Sequence, residues 1–477
     1  MPRFALLLPL LLCPIVVRAD AKADLAAAVD RRADQSWTIA KQIWEWAEPG
    51  YQETKSAKLL ADTLERAGFR IERGVAEIPT AFTATIGSGR PVIGILGEYD
   101  ALPGLSQQAL PEQLGRDDGN GYGHACGHHL FGTASMEAAI ALGEQLAKTK
   151  RSGTIRFYGC PAEEGGAAKT FMVRDGLFAD CDAVLHWHPG SRNSAGDASC
   201  LARMAVKFRF KGTSAHAAGA PEQGRSSVDA VELTAHASEL LREHTPDFTR
   251  IHHTITAGGQ APNVVPDFAE IYFYVRHPQS DVVAQIYPRL LKCAEAGALA
   301  TETKLETNYL GGTMEILPNN SLAEVIQGNL KSLVNLKYTP DETAFAVRIR
   351  ETLQKPVPLE RIAEVSDSSG ETTKGSTDVG DVSWVVPTAG FSTACWVPGT
   401  PGHSWQAVAA GGTTIGKQGM LLAAKTLATS AWDLLNAPDT LAAAKAEHTK
   451  RRNGREYKAM LSPGQKAPLD YRNSPVP

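Results

Sequence analysis

Cysteine is scarce in this chain, seven in 477 residues, and no two of them form a C-x-x-C pair. That spacing excludes a disulfide-built scaffold and gives no sign of a zinc ribbon. An excess of one charge is also missing. Forty-eight Lys and Arg stand against 52 Asp and Glu, for a net charge of −4, and no basic segment stands out. A nucleic-acid partner is therefore not expected. Beyond the first twenty residues no apolar run approaches the ~20 residues that a membrane span requires. Repeats and low-complexity stretches are absent. What remains, 43% hydrophobic and 21% charged residues, is the composition of a folded globular chain and not of a disordered or collagen-like one. The length allows two to four domains, or one large domain with an insertion, and can bury a real core.

The N-terminus is the exception to the short apolar runs. Residues 1–19 read MPRFALLLPLLLCPIVVRA, with Arg3 ahead of an apolar stretch and small residues, Val17 and Ala19, at the −3 and −1 positions. This pattern predicts a secretory signal peptide cleaved near Ala19. The stretch is short for a membrane anchor and carries two prolines. Export places the protein in the periplasm or outside the cell. It removes Cys13, Arg3 and Arg18 and leaves the remainder more acidic.

Periodicity divides the rest. Helices are predicted around Trp37–Ala47 and over 53–67, ending at Gly68. Pro91–Leu96 is a continuous apolar run, the signature of a buried parallel strand. A Gly/Asp/Asn-rich loop, 115–127, leads into a helix over 129–149. Strands at 154–159 and 183–187, with a short helix near 168–176 between them, extend an α/β pattern. Near residue 200 the style changes. A strand at 205–210, a helix at 226–243, strands at 251–257 and 269–276, a helix at 280–297 and a strand at 303–309 give a β-α-β-β-α-β order, a split βαβ unit. Helix returns at 321–335, then a strand at 389–397 and a long helix at 412–435. The fold class is therefore α/β: a mixed, mostly parallel catalytic sheet, 20–199 and 313–449, interrupted by a small α+β domain, 200–312. The tail, 450–477, is basic, then Pro-rich, and reads as extended.

Chemistry-bearing residues collect where strands end, which is where open α/β sheets bind ligands. Glu98 and Asp100 follow the first strand and Glu163 and Glu164 the second. His188 follows the third, and His403 lies beyond the strand at 389–397. The loop GHACGHH, 123–129, adds His124, Cys126, His128 and His129, four donors suited to a zinc-like ion. A cysteine nucleophile is the rival use of Cys126. The adjacent carboxylates of CPAEEGG, 160–166, repel one another unless a cation is near, so one is suited to a metal and the other to a base. In HWHPG, 186–190, either His186 or His188 can be a ligand.

Together, GEYDALPG (97–104), GHACGHH, PAEEGG (161–166), HPG (188–190), GTSAHAAGAPEQGRSSVDA (212–230), GQAPNVVPD (259–267), GSTDVGDVSW (375–384) and GTPGHSWQ (399–406) resemble the metallo-aminoacylase and carboxypeptidase superfamily of dinuclear metallopeptidases. The match is to its amidohydrolase branch, in which Cys-Gly-His replaces an acidic ligand. Within the branch the HPG, GSTDVGDVSW and GTPGHSWQ segments look most like the p-aminobenzoyl-glutamate hydrolases of the B-subunit type. The resemblance implies two divalent metal ions per subunit, zinc or manganese, held by Cys126, His128, Glu164, His188 and His403. It implies Glu163 as general base, Asp100 as the acid that orients a ligand, and His216 as a lid histidine that steadies the developing oxyanion, often in the partner's site. Asn263 and Arg276 fall at lid positions near the substrate. The 200–312 domain is then a lid through which two copies form a homodimer.

The implied reaction is metal-dependent hydrolysis of the amide bond of N-acyl or N-aroyl amino acids. A dipeptidase or carboxypeptidase of the same superfamily is the alternative, ahead of a non-catalytic metal-binding protein and a cysteine-nucleophile hydrolase.

Overall fold

The computed structural model describes residues 21–117, 120–196, 198–367, 370 and 372–472. The signal-peptide reading at 1–19, Cys13 with it, and the last five residues of the predicted tail lie outside the described residues.

Among the described residues the strands are β1 Arg70–Arg73, β2 Phe82–Ser88, β3 Val92–Glu98, β4 Leu102–Pro103, β5 Tyr122–Gly123, β6 Gly153–Cys160, β7 Ala183–Gly190, β8 Asn193–Gly196, β9 Ala202–Lys211, β10 Arg250–Ala257, β11 Phe268–His277, β12 Lys304–Thr313, β13 Val365–Ser366 and β14 Thr388–Ala394. The large sheet has the order β1-β2-β6-β3-β7-β14-β8-β13. Its centre, β6-β3-β7-β14, is parallel, so four carboxyl ends lie side by side. Every residue of β3 is buried, as the apolar run at 91–96 requires of a strand covered on both faces. The helices His128–Thr149 and Thr414–Asn436 pack together on this sheet. Nearly every residue of the first is buried, which explains why its apolar residues do not gather on one stripe.

The sheet extends beyond the predicted strands. The β1–β2 hairpin adds an antiparallel edge against β6. Its second strand, FTATIGS, combines small residues and threonines with little alternation to mark it. Helix Pro340–Glu351 also escaped the sequence reading, although Thr339 and Glu342 form a capping box at its start. The last helix, Pro438–Arg452, continues three residues into the predicted tail.

The insertion forms its own antiparallel sheet, β10-β11-β9-β12, covered by helices Ser227–Arg242 and Ser280–Thr301. Met204, Val206, Phe208 and Phe210 of β9 alternate inward and meet Ile271, Phe273 and Val275 of β11 in a core separate from that of the large sheet. The polar face carries Arg203, Lys207, Arg209, Glu270, Tyr272, Tyr274 and Arg276. All six described cysteines are free, and Cys160, Cys181, Cys200 and Cys395 are buried.

Candidate active site

Each predicted ligand is fixed by a local device. Cys126 and His128 flank Gly127, which has φ 75° and lies so close to Pro189 that a Cβ would fall 2.7 Å from that ring. Only glycine suits this turn. It puts the Cys126 thiol in the loop and starts the helix at His128. His128 Nδ1 is 2.8 Å from Asp100 Oδ1, and the other Asp100 oxygen accepts a hydrogen bond from Glu164 N at 2.9 Å. Asp100 thus orients one candidate ligand by its ring and the other by its backbone. Burial opposes ionisation of Asp100, but the charge and hydrogen bond of His128 prevail and hold its carboxyl at about 2.

The Glu163–Glu164 loop turns sharply between Ala162, at φ 53°, and Gly165, at φ 113°. Ala162 N donates to Glu53 Oε1 at 2.7 Å, and Tyr51 donates to Gly166 O at 2.6 Å. The PGYQE segment thereby clamps a strained loop, as strained loops at functional sites require. The two carboxylates have diverged. Burial, then the charges of Glu98 and Glu164, push Glu163 well above the usual carboxylate range. Burial acts the same way on Glu164, but the hydrogen bond from His403 and the charge of His128 outweigh it and lower its pKa. A carboxyl pair pushed apart in this way separates a proton carrier from a fixed anion.

Strand β7 runs on to Gly190, so His186 and His188 both lie within it and face one side. His186 packs against Gly390, where a Cβ would meet the ring at 2.3 Å. His188 instead brings Nε2 to 3.3 Å from Cys126 Sγ, while its Nδ1 lies 2.8 Å from Pro189 O. His403, at φ 55°, is anchored by its backbone N–H to Ala125 O at 3.0 Å and places Nε2 3.2 Å from Glu164 Oε1.

Among the described residues three donor groups result: Cys126 with His128 and His188, Cys126 with Glu164 and His403, and Glu98 with His128 and Glu163. The first two share Cys126. Buried Glu164 Oε1 faces His403 Nε2 at 3.2 Å, and His128 Nε2 faces Glu98 Oε2 at 3.1 Å. Burial and the Glu164 charge raise the Cys126 thiol well above its ordinary value, the reverse of what a nucleophilic cysteine needs. A thiol, imidazoles and carboxylates clustered within 4.8 Å of one another in each group fit divalent cations, and the two triads that share Cys126 would suit two of them.

These residues open into a cavity of about 680 Å³, a size suited to a small organic ligand. Arg276 lines it, but His216 and Asn263 do not. They meet at an exposed loop of the insertion, where Ala217 N donates to Asn263 O at 3.0 Å. Lys169, which no sequence pattern marks, is fully buried with Nζ 2.6 Å from both Glu98 Oε1 and Asp378 Oδ1. Glu53 against the glutamate loop, and Arg203 and Arg472 on the cavity, are likewise unmarked in the sequence. Asp378 lies within the quoted GSTDVGDVSW segment, whereas Lys169 sits in an unremarkable helix and carried no signal.

The model of the M20 peptidase dimerisation domain matches residues 202–301. Over 457 residues, 90% of this chain and 95% of the relative, the sequence is 40% identical to the B subunit of p-aminobenzoyl-glutamate hydrolase from Escherichia coli K12. It is 28% identical over 439 residues to the human Xaa-Arg dipeptidase, covering 87% of this chain and 89% of that one. A dinuclear metal-binding peptidase of the M20 family from Bacillus subtilis has the same fold, with a TM-score of 0.56 at 19% identity over 85% of this chain and 99% of that one. Similarity of this extent, across both the sheet that carries the donors and the inserted domain, makes the chain a member of the M20 peptidase family and an amide-bond hydrolase.

Proposed function

We propose that the protein hydrolyses the amide bond of N-aroyl or N-acyl amino acids, with p-aminobenzoyl-glutamate as the leading substrate, and that Cys126, His128, Glu164, His188 and His403 hold two divalent ions. The carrying observation is the pair of donor triads sharing Cys126, with Glu163 beside them on one cavity. Held there, such cations would polarise a carbonyl and acidify water. Zinc suits the thiol and manganese the carboxylates. Glu163 accepts a proton from the attacking water and passes it to the leaving amine nitrogen. Its raised pKa suits the second transfer. Asp100 fixes His128 and the Glu164 backbone, so neither ligand must reorganise during turnover. His216 of a second copy, joined through the insertion, stabilises the tetrahedral oxyanion. The first 19 residues export the enzyme.

The substrate assignment draws on the 40% identical hydrolase, and a dipeptidase is the second reading because of the human relative. Metal-reconstituted protein assayed on p-aminobenzoyl-glutamate, other N-acyl amino acids and dipeptides separates them. Cleavage of the aroyl conjugate supports the proposal, and cleavage of dipeptides alone replaces it.

A further inference from the structure

Along the polar face of the insertion sheet, most cations have an acid. Lys207 and Arg209 both reach Glu270, at 3.4 and 2.6 Å. At the end of the same strands that lines the cavity, Arg203 and Arg276 are direct cross-strand partners, and neither has a carboxylate within ion-pair distance among the described residues. The Arg203 side chain is buried, with the residue 6% exposed, and forms no hydrogen bond there. Its guanidinium rests on the Tyr274 ring, Cζ 4.7 Å from the centroid. Arg276 lies 5.5 Å from the same ring and donates from Nη1 to Ser376 Oγ at 3.1 Å, with Nε buried and unpartnered.

A third guanidinium comes from the far end of the chain. After helix Pro438–Arg452 the tail runs along β12, where Gly312 N donates to Met460 O at 2.8 Å and Gln465 Nε2 donates to Tyr309 O at 3.0 Å. It reaches the glutamate loop, with the Tyr471 hydroxyl donating to Glu164 O at 3.1 Å and Arg472 reaching the same oxygen. Arg472 lines the cavity too, and its Nε is likewise buried without a partner.

Like charges directly opposite on paired strands destabilise a sheet, and an unpaired buried guanidinium is costly. The arrangement makes sense when an anion enters. One carboxylate takes one guanidinium fork face to face, so three forks exceed what a single carboxylate needs. We propose that Arg203, Arg276 and Arg472 form an anion subsite for an amino-acid half bearing two carboxylates, and that Arg203 and the tail residue Arg472 select the second one. This rests on the amide-hydrolase reading above and names the acidic class of its leaving group. The same three charges disfavour a substrate with an arginyl side chain.

The test uses the metal-loaded enzyme and paired conjugates of glutamate and glutamine, each with N-acetyl, N-benzoyl and p-aminobenzoyl groups. The wild type prefers glutamate. Arg203→Gln and Arg472→Gln each lower the glutamate-to-glutamine ratio of kcat/KM by about 10- to 100-fold. The ratio is internal to one preparation, so partial misfolding or weak metal loading cancels. If Arg203→Gln yields no folded protein, Arg472→Gln, near the chain end, decides alone. Thermal protection by free glutamate over glutamine supplies a readout without turnover, expected in the wild type and lost in Arg472→Gln. An unmoved ratio, or no differential protection of the wild type, overturns the subsite. Loss of the ratio on N-acetyl pairs with no cleavage of aroyl conjugates keeps the subsite and rejects the aroyl reading. The converse pattern rejects only the subsite.

Discussion

At the scale of single residues the site depends on two adjacent carboxyls with opposite properties. Glu164 is held as an anion by His403 and His128, whereas burial and like charges keep a proton on Glu163 at higher pH than usual. Replacing each by its amide therefore has different consequences. Glu163→Gln removes proton transfer and lowers kcat by about 10²- to 10⁴-fold, with bound metal unchanged by elemental analysis. Glu164→Gln removes a ligand and lowers metal content first. Equal metal loss in both variants would refute the division of roles. Much of this was legible in the sequence, because Glu163, Glu164 and His403 sit in short polar loops beyond apolar strands, Cys126 and His128 mark the turn that opens a helix, and His188 lies near the end of an apolar strand. Lys169 was not. A lysine in a short helix looks solvent-facing until the fold buries it between Glu98 and Asp378. The choice of His188 over His186 came from the resemblance of the HPG segment, since the two side chains face one side of the same strand; Gly390 on the neighbouring strand leaves room for the His186 ring.

At the scale of elements, alternation on β9 and β11 revealed the insertion sheet, while the docking of the tail left no trace in the sequence. A Pro-rich segment has no period, and its anchoring is decided by strands more than a hundred residues away. One anchor carries a pH signature. Tyr457 donates to Asp381 Oδ1 at 2.8 Å, and Met314 N donates to Oδ2 at 3.1 Å. Burial raises the Asp381 carboxyl to about 7, from 3.8, despite these bonds. Between those values the folded protein holds a proton that the unfolded chain has released, so this group's contribution to stability falls as pH rises through the window and stays lost above it. Asn mimics the protonated carboxyl at every pH. Asp381→Asn should therefore gain in Tm over the wild type between pH 5 and pH 8, by about 2 °C or more. Parallel Tm profiles for the two proteins would show that Asp381 is ionised throughout, and differences from all other titrating groups cancel in the comparison.

At the scale of the whole molecule, the large sheet collects candidate metal donors, Glu98 among them, from five separate stretches, but His216 and Asn263 face solvent on the insertion, away from that cavity. The sequence placed these two beside the substrate only through family resemblance, and one chain cannot bring them there as it stands. Two copies joined through the insertion can, since a two-fold contact offers each site the other's loop. That arrangement makes a prediction that a single-chain site cannot satisfy. Glu163→Gln and His216→Ala are each expected to be nearly inactive alone. In a mixed dimer, the subunit with intact Glu163 receives an intact His216 from its partner, while the other site lacks both. Random reassociation makes half the dimers mixed, so about one quarter of the wild-type sites become active on mixing. The rise should follow subunit exchange, appearing after dilution or mild denaturation and not at the moment of mixing. If His216 serves its own chain, no site in any mixture holds both residues, and activity stays at the level of the separate variants however long exchange proceeds.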